Sequence, residues 1–127
     1  MQATPQRILI VDDDPMVADT LTLIFQKKGF DVRTCNSAED GLECARVFRP
    51  DLLLCDIIMP GRGGLNLVAD ITRELPSCRI LVLTGFYADL GAVEKHSRKL
   101  PRPLGILTKP CQPSLLLREA NAMLASA

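Results

Sequence analysis

Short apolar runs alternate along this chain with longer stretches in which apolar residues recur every three or four positions. The first pattern fits buried strands and the second amphipathic helices. Arg7 to Val11 reads as the first strand. Asp14 and Pro15 then supply an N-cap and a first helical position, with Val17, Leu21, Ile24 and Phe25 on one face and Gly29 at the end. A second strand covers about Asp31 to Cys35. Ser37 with Asp40 resembles a capping box, and the helix it opens carries Ala38, Leu42, Ala45 and Phe48 inward before Pro50 closes it. Leu52 to Cys55 is a continuous apolar run, as a strand covered on both faces requires.

A loop rich in glycine and proline, Met59 to Gly64, precedes a third helix marked by Val68, Ile71 and Leu75. Arg79 to Leu83 forms a fourth strand, Tyr87 to Leu100 a weakly patterned helix, and Gly105 to Thr108 a fifth strand. Pro113 opens a last helix with Leu116, Ala120, Met123 and Leu124. Five βα units in succession predict an α/β fold: one parallel sheet with helices on both faces, a single domain over 1–127 with its core at about 7–125.

In such sheets, ligands and chemistry gather at the carboxyl ends of the strands. Strand one runs into Asp12, Asp13 and Asp14; strand three into Asp56; strand four into Thr84; strand five into Lys109. Polar residues are common wherever strands turn, but an acid cluster, a further acid, a hydroxyl and an amine at four consecutive core strand ends form a chemical set. Converging carboxylates repel one another, and a bound cation relieves the repulsion. Hard oxygen donors suit magnesium, with Asp13 and Asp56 as direct ligands and Asp12 acting through water. Asp14 is explained by its capping role alone. A metal-held carboxylate can act as a nucleophile toward phosphorus, and phosphoryl transfer then demands neutralisation of the equatorial oxygens, which Lys109 and Thr84 can provide.

Composition narrows the partners. Fifteen basic and fifteen acidic side chains give zero formal net charge, against the basic excess usual in nucleic-acid binders. No apolar stretch approaches the roughly 20 residues of a membrane span, and Met1 to Gln6 lacks the apolar region of a secretory signal, so a cytoplasmic protein is expected. Cys35, Cys44, Cys55, Cys78 and Cys111 form no C-x-x-C pair, which favours reduced, buried thiols over a zinc or redox site.

The segments ILIVDDDP, LLLCDIIMPGRGGL, ILVLTG and LTKP resemble those of bacterial response-regulator receiver domains. The resemblance runs from Arg7 to the last helix and implies a flavodoxin-like (βα)5 doubly wound sheet in the order 2-1-3-4-5, an order for which such a receiver is a standard example. It further implies Asp56 as phosphoacceptor, Asp12 and Asp13 as the acidic pair, a metal contact from the Ile58 backbone carbonyl, Thr84 as switch hydroxyl, Lys109 as phosphate-binding lysine, and a cis Lys109–Pro110 bond. The implied partners are a histidine kinase or phosphotransfer protein, a downstream effector, and a second copy in a phosphorylation-linked dimer. Such a protein is not an enzyme beyond its own phosphotransfer and dephosphorylation.

Four features stand out against the pattern. Ile106 stands where the family usually carries an aromatic residue, so the usual threonine–aromatic coupling is not expected. The span from Thr84 to Lys109 is long and contains Pro101 and Pro103, which end the fourth helix by about Leu100. Lys95, His96, Arg98, Lys99 and Arg102 form a basic cluster that fits a helix C-terminus as well as an acidic docking partner. Bulky Ile58 and Phe86 flank the site where polar groups could guide water, which predicts slow self-dephosphorylation. Three rival readings stay open: a phosphohydrolase using Asp12-x-Asp14, though Met16 does not fit its signature; a flavodoxin-like cofactor binder; and a pseudo-receiver that is never phosphorylated.

Overall fold

A computed structural model describes residues 4–57, 63–85, 91, 93–95, 97–100, 104–109 and 111–125. Strands β1 (Arg7–Val11), β2 (Asp31–Cys35), β3 (Leu52–Asp56), β4 (Arg79–Thr84) and β5 (Gly105–Thr108) form one parallel sheet in the order β2-β1-β3-β4-β5. Helices α1 (Pro15–Gln26), α2 (Ala38–Phe48) and α3 (Gly64–Glu74) connect the first four strands. The chain is helical at every described residue of 91–97, here α4, and α5 (Pro113–Ala125) ends the fold. The flavodoxin-like architecture and its strand order are those expected from the sequence.

Alternation along the central strands builds two cores. Leu9, Val11, Leu53, Cys55, Ile80 and Val82 pack against Ala45 and Phe48 of α2 and Leu67, Val68 and Ile71 of α3. Ile8, Ile10, Leu52, Leu54, Leu81 and Leu83 pack instead against Ala18, Leu21 and Phe25 of α1 and Leu116 and Ala120 of α5. A strand buried on both faces has no polar side to show, and all five residues of β3 are indeed buried. Each large aliphatic side chain removed from water in this way contributes about 1.5–3 kcal/mol. On α1 the buried face differs slightly from expectation: Ala18 is fully buried, whereas Val17 and Ile24 are partly covered.

Local signals set the helix starts. Asp14 accepts the Met16 amide at 3.0 Å with Pro15 at the first helical position, and Ser37 Oγ accepts the Asp40 amide at 3.1 Å. Two boundaries move from their expected places. Gly64 does not belong to the preceding loop but opens α3, because Gly63, at φ 83°, makes the break; Leu75 follows that helix as its C-cap. At the end of α2, Arg49 takes a left-handed φ of 54° immediately before Pro50, which disfavours a continued right-handed helix.

Candidate functional site

The strand ladders extend one residue past the strands and aim the following side chains. The Asp12 amide donates to the Cys35 carbonyl at 3.1 Å, Ile57 to Leu83 at 3.0 Å, and Lys109 to Thr84 at 2.8 Å. Asn36, to which no role was expected from the sequence, donates through Nδ2 to the Asp12 carbonyl at 3.1 Å and further anchors the acidic turn. A lone polar residue after a strand carries no signal of such a role.

At this edge the carboxylates of Asp12, Asp13 and Asp56 converge, with one oxygen from each within 4.8 Å of the others. Asp12 and Asp56 are buried and Asp13 is exposed, so the cluster is rooted in the core and open to solvent on one side. Lys109 Nζ donates to Asp56 Oδ2 at 3.1 Å and to Asp12 Oδ2 at 3.2 Å. The other Asp12 oxygen accepts the Asp14 amide at 2.9 Å. Asp14 itself stays outside the cluster as the α1 cap.

Burial works against the Lys109 ammonium, yet the charges and hydrogen bonds of Asp56 and then Asp12 outweigh it and lift its pKa above the usual lysine value of 10.5. One ammonium against three carboxylates leaves the cluster with excess negative charge. These all-oxygen donors, one of them solvent-facing, fit a hard divalent cation that keeps part of its water shell. Both Asp12 oxygens are engaged within the protein, one by the Asp14 amide and the other by Lys109.

Thr84 is the last residue of β4 and is fully buried beside this edge, in register with Thr108. Asp12, Asp13, Asp56 and Lys109 are thus brought together, and Thr84 ends the strand next to Asp56. Ile58, Phe86, His96, Arg102 and the Lys109–Pro110 bond lie outside the described residues. Ile106 is partly buried in β5, opposite Val82, and packs on the α2/α3 core cluster.

Residues 8–121 match the family described as response regulator receiver domain. The chain belongs to that family. It is 35% identical over 119 residues to protein PilH of Pseudomonas aeruginosa, a match covering 94% of this chain and 98% of that one. It is 38% identical over 84 residues to the DNA-binding response regulator MtrA of Mycolicibacterium smegmatis, covering 66% of this chain but only 36% of that protein. Among solved structures, a CheY-like response regulator receiver domain protein from Methanospirillum hungatei superimposes with a TM-score of 0.86 at 27% identity, covering 95% of this chain and 94% of that one. A receiver domain from Clostridium thermocellum shares the fold at a TM-score of 0.86 and 22% identity, with 94% of each chain covered. Among the described residues of this receiver, no helix is long and apolar enough to cross a membrane.

Proposed function

We propose that this receiver is a single phosphoacceptor unit in which Asp56 takes a phosphoryl group from a phosphohistidine of a histidine kinase or phosphotransfer protein. An Asp56 carboxylate oxygen attacks phosphorus as the phosphorus–nitrogen bond breaks, leaving an aspartyl phosphate and a neutral imidazole once the leaving nitrogen takes a proton. The observation that carries this reading is the Lys109 ammonium held between Asp12 and Asp56 inside a cluster of three carboxylates. An amine so placed repels no incoming phosphoryl group and neutralises one of its oxygens. Thr84 donates its hydroxyl to a second oxygen.

Asp13 and Asp56 would hold magnesium, with Asp12 acting through water, and family resemblance would add the Ile58 backbone carbonyl. The ion supplies the positive charge that makes an acidic pocket hospitable to a phosphate. Asp14 caps α1 and is not among the converging carboxylates, which speaks against the Asp12-x-Asp14 phosphohydrolase alternative. The phosphorylated state is read in the cytoplasm by an effector or a second copy, and Ile106 transmits it through packing rather than through an aromatic swing.

Incubation with magnesium and acetyl phosphate, followed by intact mass, tests the proposal. One phosphoryl addition is expected in the wild type, and none in Asp56→Asn or without magnesium. Addition to Asp56→Asn, or none to the wild type, would overturn it.

A further inference from the structure

The acidic turn after β1 is held at its backbone by a residue that follows a different strand. Asn36 comes directly after Cys35, the last residue of β2, and directly before Ser37, the cap of α2. Its two neighbours are both engaged. The Cys35 carbonyl accepts the Asp12 amide at 3.1 Å, and the Ser37 carbonyl accepts the Gly41 amide at 2.9 Å. From this fixed point Asn36 Nδ2 donates to the Asp12 carbonyl at 3.1 Å, across 24 positions of chain. Only the nitrogen end of the side-chain amide can face a carbonyl in this way, because its oxygen offers no proton. The end of β2 thus grips Asp12 through both its amide and its carbonyl.

The consequence falls on Asp13. Its exposed carboxylate makes no hydrogen bond or ion pair among the described residues, so the backbone alone aims it. Asn36 ties the peptide before Asp13 through the Asp12 carbonyl, and Asp12 Oδ1 ties the peptide after it by accepting the Asp14 amide at 2.9 Å. The second tie lies within the turn, whereas the first fastens the turn to a neighbouring strand.

Resting on the reading of the three carboxylates as a magnesium site, we propose that Asn36 is its positioning residue. By holding the Asp12–Asp13 peptide it aims the Asp13 carboxylate toward those of Asp12 and Asp56. A loose acid must be ordered whenever an ion binds, and that ordering weakens affinity; a held acid has been ordered by folding. Groups standing behind metal ligands typically change affinity by about 10–100-fold when removed. Asn36 acts through a peptide rather than on a ligand atom, which places it at the lower end of that range.

The test is a magnesium chloride titration of the whole isotope-labelled protein, followed by amide chemical shifts, in the wild type, Asn36→Ala and Asn36→Leu. Leucine keeps the branched shape of asparagine but donates nothing. Both variants are expected to bind magnesium about tenfold more weakly than the wild type. Their urea midpoints without magnesium should stay close to that of the wild type, because Asn36 is exposed. A merely structural Asn36 would instead lower the midpoint and leave the affinity unchanged. Wild-type affinity in either variant overturns the proposal. Wild-type protein that takes up no magnesium overturns the metal site itself, and the role of Asn36 with it, so the wild-type titration separates the two failures.

Discussion

Gly64 lies so close to the Asp56 carbonyl that a Cβ there would collide with it and stand 2.8 Å from the Ile57 Cα. The first residue of α3 is therefore seated on the backbone that carries the candidate phosphoacceptor, and the Gly64 amide fixes the contact by donating to the Ile57 carbonyl at 3.1 Å. Both obstacles are backbone atoms and cannot swing aside. Gly64→Ala is expected to cost about 1–3 kcal/mol, the range for inserting a methyl into a packed site. Urea unfolding of this variant would show a lower midpoint, and acetyl phosphate would label it more slowly; an unchanged midpoint would mean that the backbone yields there freely.

Arg49 presents the reverse situation. Its φ of 54° is a strain for any residue with a Cβ, and its side chain is exposed. Arg49→Gly is expected to stabilise the fold by about 0.5–1 kcal/mol, because glycine occupies a left-handed helix end without penalty. Thermal unfolding checks this, the expected change being a rise in Tm.

Lys109 is bound to two carboxylates that are nearly inaccessible, with side-chain exposures of 2% for Asp12 and 11% for Asp56. Lys109→Met removes the ammonium and leaves those charges facing each other. A loss of about 1–3 kcal/mol is expected in metal-free buffer, and magnesium should restore part of it. Denaturant curves with and without magnesium decide this; equal losses in both would remove the charge-repulsion explanation.

Exposed Asp13 contributes to the carboxylate cluster with little packing to lose. Asp13→Ala should therefore fold normally, within about 0.5 kcal/mol of the wild type when no divalent ion is present. At ten times the dissociation constant, a ligand that binds only the folded state adds about 1.4 kcal/mol. Magnesium is expected to raise the Tm of the wild type by that mechanism and to raise that of Asp13→Ala far less. A chelator should abolish the difference.

Arg46 on α2 grips Glu74 on α3 through two hydrogen bonds, Nε to Oε1 at 2.7 Å and a second guanidinium nitrogen to Oε2 at 2.9 Å. The hydrogen bond from Arg46 is the main reason that Glu74 titrates below its ordinary 4.5. A carboxylate held below its unfolded value contributes stability above that value and loses it as pH falls through the lower, folded one. Wild type and Glu74→Gln should therefore differ most in Tm at neutral pH and converge in acid. High salt should narrow the neutral gap, since the pair is exposed.

All five strands and the capped starts of α1 and α2 were legible in the sequence, because each rests on local rules: an apolar run such as Leu52 to Cys55, or a cap such as Asp14 before Pro15. The set of strand-end residues was legible for the same reason, since a parallel sheet sends every strand's carboxyl end to one edge. Glycine, by contrast, hides its reasons. Gly64 reads as a loop residue until the packing of α3 on the end of β3 is known.

The sequence by itself determined which residues alternate, where helices begin, and which acids and amine end the strands, all of them consequences of neighbours along the chain. Only the tertiary structure decided that Lys109 bridges Asp12 and Asp56 across 97 and 53 positions and that Asn36 anchors the acidic turn. Those contacts depend on the register of separate strands and on how a helix is seated over the sheet. That geometry is fixed by the packing of the whole core, and no window of sequence contains it.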